Sequence, residues 1–139
     1  MSYDFVVDSY AWIEYFRGSE AGRKVRRFVE GGNSATPAIV VTELSAKLAR
    51  DIKAGAETDD GRRQRLGFVR STTPVVVMDG DMAVLAGEVD TNRKERVRNW
   101  GLADSIVLTT ARSVGAKIVT GDRHFADLKD EVVFVPRED

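Results

Sequence analysis

The chain has 139 residues, 42% of them hydrophobic and 31% charged, a balance that suits one compact domain, residues 1–139, with a sizeable core. It contains no cysteine, which excludes thiolate zinc sites, disulfide frameworks and cysteine nucleophiles and fits a reducing cytoplasm. A net charge of −1 argues against a protein that merely coats nucleic acid, and no apolar run is long enough to span a bilayer, so a soluble, cytoplasmic domain is expected. Asp4, Asp8 and Glu14 interrupt the N-terminal apolar stretch, so no signal peptide is expected either.

In chain order, Asp4 to Val7 reads as a short apolar strand, and Ser9 to Arg17 as a helix with Trp12, Ile13 and Phe16 on one face. Gly18-Ser19 breaks it before a second helix, Glu20 to Glu30, which Gly31-Gly32-Asn33 ends. Thr36 as cap and Pro37 at the first helical position predict a helix running to Ile52 through Val40, Leu44 and Leu48. Gly61 to Arg70 is again helical. The β-branched run Pro74 to Met78 predicts a strand buried on both faces. Asp81 to Arg98 reads as a long helix broken by Asn99-Trp100-Gly101, and Leu102 to Val114 as an apolar helix stopped at Gly115. Lys117 to Thr120 is a third strand, Asp122 to Leu128 a short helix or turn, and Glu131 to Val135 a last strand. This alternation predicts an α/β fold, a central mainly parallel sheet of four to five strands with right-handed crossovers and helices on both faces.

Four acids stand at the punctuation points of that pattern. Asp8 ends the first strand, Glu43 lies near the apolar stripe of the third helix, Asp104 opens the most apolar helix, and Asp122 follows Ile118-Val119-Thr120. Each has a bland explanation. Asp8 could cap a helix, Glu43 could pair with Lys47, Asp104 could favour a helix dipole, and Asp122 could close a turn. Jointly they map to the edge of a parallel sheet where strands end and helices begin, the edge at which open α/β sheets bind ligands. Carboxylates gathered there repel one another unless a cation joins them, and a hard divalent ion such as Mg²⁺ or Mn²⁺ suits oxygen donors. Held so, such an ion supports in-line displacement at phosphorus. Thr120 adds a hydroxyl beside Asp122, and Gly121 would permit an unusual backbone angle. His124, the one histidine, reads as a surface residue of the final turn; a two-histidine nuclease mechanism is excluded.

The segments Phe5-Val6-Val7-Asp8-Ser9, Val41-Thr42-Glu43-Leu44, Leu102-Ala103-Asp104-Ser105 and Val119-Thr120-Gly121-Asp122 resemble, in order and spacing, the four acidic motifs of PIN-domain nucleases. The resemblance spans essentially the whole chain, and its length is most similar to the VapC toxins of toxin–antitoxin pairs. It implies a three-layer α/β/α domain acting as an Mg²⁺- or Mn²⁺-dependent endoribonuclease on structured RNA, commonly a homodimer, with a small antitoxin blocking the acidic groove. It carries Asp8, Glu43, Asp104 and Asp122 over as the metal-binding catalytic set, with Ser9 and Thr120 as supporting hydroxyls. A solitary PIN nuclease of RNA processing carries the same motifs.

Three basic clusters, Arg23-Lys24 with Arg26-Arg27, Arg62-Arg63 with Arg65, and Arg93-Lys94 with Arg96 and Arg98, are either solvated helix faces or phosphate contacts. Arg112, two helical turns beyond Asp104 and on about the same face, is expected to line the groove. The early aromatic residues Tyr10, Trp12, Tyr15 and Phe16 could stack bases or grip an antitoxin helix, but core residues or a dimer seam are the simpler assignments, and Trp12 and Phe16, four apart, have core spacing. Two other classes remain open at this stage. A receiver domain would need an acidic pair after the first strand and a lysine after the last, yet Asp8 has no acidic neighbour and Pro136-Arg137 closes the chain's last strand. A catalytically silent RNA- or partner-binding module would bind without metal-dependent turnover.

Overall fold

A computed structural model of the chain describes residues 1–137. Five short strands, β1 (Phe5–Val7), β2 (Ser34–Pro37), β3 (Val75–Val76), β4 (Lys117–Thr120) and β5 (Val132–Phe134), form one sheet in the order β3-β2-β1-β4-β5. Every neighbouring pair is parallel. Helices α1 (Ser9–Arg17), α2 (Glu20–Glu30), α3 (Ala38–Lys53), α4 (Asp59–Thr72), α5 (Gly80–Lys94) and α6 (Leu102–Ser113) flank it in a three-layer α/β/α arrangement. No described helix is long and apolar enough to cross a membrane.

The core explains the sheet. Val6 and Val7 of β1 and Ile118 and Val119 of β4 are wholly buried, as continuous apolar runs in the middle of a parallel sheet must be. Trp12 and Leu44 seal one part of the interior, Leu108 and Phe125 another. A second aromatic group, Trp12, Tyr15 and Phe16 of α1 with Phe68 of α4, joins those helices, the Tyr15 and Phe68 rings lying 5.8 Å apart and nearly parallel.

Three expectations change. The segment Ser34–Pro37 is not a helix start but a fully buried strand between β1 and β3, and the third helix begins at Ala38. Thr36 is therefore no cap; its hydroxyl accepts a bond from Trp12 Nε1 at 3.1 Å and lies 2.6 Å from the Thr73 hydroxyl. Short polar residues occupy this strand because their hydroxyls are satisfied inside the core, which strand propensity does not register. The run Pro74 to Met78 yields only two paired residues at the sheet edge, and Val77 is 71% exposed. The fifth helix starts one residue earlier than expected, capped by Asp79 on the Met82 N–H at 2.9 Å, and ends at Lys94; Asn99, at φ 66, turns the chain toward α6.

Candidate metal centre

All strands being parallel, their carboxyl ends share one edge, and α1, α3 and α6 begin there. Asp8 stands where β1 becomes α1: its N–H donates to Val119 O at 3.0 Å, extending the ladder, and the residue is 4% exposed. It occupies the cap position of α1 without bonding the helix through its side chain as a cap would. Instead Asp8 Oδ2 accepts a bond from the Thr120 hydroxyl at 2.8 Å. The same hydroxyl accepts from the Asp122 N–H at 3.0 Å, so one buried side chain at the end of β4 ties together two acids far apart in sequence.

Glu43 lies half-buried in the second turn of α3, with the Ser9 side chain near enough to act on its carboxylate. The bland explanation for Glu43 does not hold, because Lys47 pairs with Asp51 at 3.0 Å. Asp104, in the first turn of α6, reaches back to the Gly101 N–H at 2.9 Å, and the same Oδ2 lies 2.8 Å from His124 Nδ1. Asp122 caps the 3₁₀ turn Arg123–Phe125 through Oδ1, which accepts the His124 N–H at 2.9 Å and lies 3.8 Å from the ring Nδ1. Donor atoms of Asp104, Asp122 and His124 all fall within 4.8 Å of one another.

For Asp8 and Glu43, among the described residues, the electrostatics are those of acids pressed by burial and by one another. Burial pushes the Asp8 carboxyl up to about 7, the Thr120 bond pulls against this, and the fields of Glu43 and Asp122 push the same way as burial. Glu43 is also raised, by burial first, against the pull of the Ser9 side chain, with Asp104 and Asp122 adding repulsion. No lysine or arginine figures among the groups acting on either acid. The positive ends of α1 and α6 give some relief, but a helix terminus is worth only about 0.3–1 kcal/mol per charge. Oxygen donors with one imidazole, partly desolvated and mutually repelling, fit a small divalent cation such as Mg²⁺ or Mn²⁺.

His124 is the residue that sequence reasoning set aside. A carboxylate accepts hydrogen bonds, so the Nδ1 facing Asp104 is the ring nitrogen suited to donate, and Nε2 is the one turned to other partners. The loop carrying it is clamped from below. Arg93, 6% exposed, donates to the His124 carbonyl at 3.2 Å and grips Asp127 through both Nη atoms, at 2.9 and 2.7 Å, while stacking 4.5 Å from the Trp100 ring. The signal was present in Asp122-Arg123-His124, an imidazole two residues from a strand-end acid.

Two other expectations fail. Arg112 forms a two-pronged bond with Glu131, at 2.7 and 3.0 Å. Glu131 immediately precedes β5, so this pair sits at the amino edge of the sheet, opposite the acids. Eight residues of helix amount to about 12 Å along the axis, and a shared face does not shorten that. Gly121 has no positive φ. Its requirement is space: a Cβ there would lie 2.3 Å from Val135 O and 2.4 Å from Tyr10 Cε1. Much of the basic surface is also held locally, Arg26 by Glu30, Arg62 by Ser45, Arg65 by Glu57 and Lys94 by Asp90.

Comparison with known proteins agrees with this fold. The family model of the PIN domain matches residues 5–131. No curated protein sequence matches the chain. Among solved structures it is similar to a toxin–antitoxin complex from Klebsiella pneumoniae, with 20% identity, TM-score 0.73, and 97% of this chain and 100% of that one covered. It is also similar to VapBC2 from Rickettsia felis bound to a promoter DNA fragment, with 13% identity, TM-score 0.71, and 92% and 95% covered. A third likeness is to VapBC-5 of Mycobacterium tuberculosis, with 21% identity, TM-score 0.63, and 96% and 98% covered.

Proposed function

The chain belongs to the PIN domain family, and from that premise we propose that it is an Mg²⁺- or Mn²⁺-dependent endoribonuclease, the toxin of a toxin–antitoxin pair. The observation that carries the reading is the carboxylate cluster with no cationic side chain acting on Asp8 or Glu43, beside the Asp104–Asp122–His124 grouping. Asp8, Glu43, Asp104 and Asp122 are the metal-binding and catalytic carboxylates of this proposal, and His124 joins them. A bound divalent ion would supply acidity to an attacking water and offset charge developing at phosphorus.

The protein's own part is to hold the donors still. Thr120 fixes the Asp8 carboxylate and the Asp122 backbone together, and the Gly101 N–H and His124 ring restrain Asp104; Ser9 would be a supporting hydroxyl beside Glu43. With carboxylates as the equipment, water is the nucleophile, the P–O3′ bond breaks, and the products carry 5′-phosphate and 3′-hydroxyl ends. The toxin assignment draws on the similar complexes, which pair a toxin with an antitoxin. A cognate antitoxin, a homodimeric assembly and a cytoplasmic location complete the proposal; Val84 and Leu85, exposed on α5, are large apolar residues of the kind an interface covers.

The test is cleavage of total RNA by the purified protein in Mg²⁺, Mn²⁺ or EDTA, beside Asp8→Asn and Asp104→Asn. Ion-dependent cutting lost in both folded variants supports the centre. Equal cutting by variants and EDTA samples, or 2′,3′-cyclic phosphate ends, refutes it.

A further inference from the structure

On the same edge is a cavity of about 450 Å³ whose walls include Tyr10, Gly121, Asp122, Arg123, His124 and Arg137. It shares Asp122 and His124 with the metal centre and adds two arginines and an aromatic ring beside them. Arg123 follows Asp122 directly, is exposed, and pairs with no carboxylate among the described residues. The neighbouring Asp122 bonds the His124 N–H through Oδ1, and no ion pair joins it to Arg123 among the described residues. Arg137 donates to Glu14 at 3.1 Å, and Arg17 donates to the same carboxylate at 3.3 Å. Two guanidiniums on one nearly buried carboxylate leave a positive charge over.

The aromatic wall is fixed at two points. The Tyr10 hydroxyl accepts the Arg137 N–H at 2.8 Å, and its ring rests where any Cβ on residue 121 would stand. An anchored aromatic ring and an unpaired guanidinium sharing one cavity match the two parts of a nucleotide, a flat base and an anionic phosphate. They also answer a problem set by the acids, which repel a polyanionic strand unless positive groups flank them.

We propose that this cavity is a subsite for the nucleotide of single-stranded RNA next to the scissile phosphate, with Arg123 on the phosphate and Tyr10 against the base. The inference rests on the ribonuclease reading and deepens it. Neither residue donates to the candidate metal centre, so substrate grip and metal binding are separable.

Binding of a labelled single-stranded RNA oligonucleotide to the Asp8→Asn protein, in metal-free buffer across a KCl series, tests this. Adding Arg123→Ala should lower the slope of log affinity against log salt by about 0.7, one phosphate contact on a single strand. Tyr10→Ala should weaken binding about tenfold with little change in slope, and Tyr10→Phe should retain it. Arg26→Ala on α2 controls for general charge. A slope and affinity in Arg123→Ala equal to those of Arg26→Ala overturns the subsite, and so does failure of the Asp8→Asn parent to bind. Cleavage by the wild-type protein in Mg²⁺, run in parallel, decides whether the ribonuclease reading falls as well. Both test residues are at least partly exposed, and thermal unfolding verifies that each variant folds.

Discussion

Replacing Asp8 by asparagine should stabilise the metal-free protein above neutral pH. The Asp8 carboxyl titrates at about 7 in the folded chain against an ordinary 3.8, chiefly because it is buried. Between those values the folded state holds a proton that the unfolded chain has released, so stability falls as pH rises through the interval and levels off above it. Each pKa unit corresponds to about 1.4 kcal/mol, and the whole interval to about 4 kcal/mol. Asparagine has the shape of the protonated acid and can still accept the Thr120 bond, so at pH 8 it avoids most of that loss. A chain of this length unfolds with an entropy of about 0.3 kcal/mol/K, which converts the difference to a Tm gain of roughly 10 °C. The assay is thermal unfolding of both proteins in EDTA from pH 4 to 9. The gap should be small at pH 4, open toward pH 7 and stay constant beyond. Saturating Mg²⁺ should raise the wild-type Tm and narrow it. A variant no more stable than wild type at pH 8, or a gap widest in acid, would refute the account of Asp8 as a buried acid strained by its own charge.

Thr120→Val keeps the side chain's shape but removes the donor to Asp8 and the acceptor of the Asp122 N–H. It should cost about 1–3 kcal/mol in chemical denaturation, with Thr120→Ser recovering most of it. Gly121→Ala should lose about 2–3 kcal/mol or more, because its Cβ has no room against the Val135 carbonyl and the Tyr10 ring; an unchanged midpoint would contradict the packing described. His124→Gln should weaken Mn²⁺ binding by about 10–100-fold in calorimetry, whether the ring binds the ion or only orients Asp104. An unaltered affinity would remove His124 from the centre.

Much of the fold was legible because strong local signals agree. The apolar runs of β1 and β4, the Gly18-Ser19 and Gly31-Gly32-Asn33 breaks, and the helical spacing of Trp12 with Phe16 each had one reading. What escaped was β2. Ser34-Ala35-Thr36-Pro37 has the composition of a helix start and becomes a strand only because Thr36, Thr73 and Trp12 satisfy one another in the interior. Arg112 illustrates the reverse error, since a correct helical phase was taken for proximity, whereas its partner Glu131 lies at the other end of the sheet.

The sequence by itself determined the α/β class, the order of most elements and the four acids placed where strands end and helices begin, because periodicity and punctuation are local properties of the chain. Only the tertiary structure decided what surrounds those acids. It set Thr120 between Asp8 and Asp122, turned His124 onto Asp104 with Arg93 bracing its loop, gave Gly121 a spatial rather than a conformational purpose, and brought Arg123, without a carboxylate partner among the described residues, into one cavity with Tyr10. Thr120 and Asp8 alone stand 112 positions apart. Such relations depend on sheet order and on which buried polar groups find partners, quantities that exist only once the chain has closed on itself.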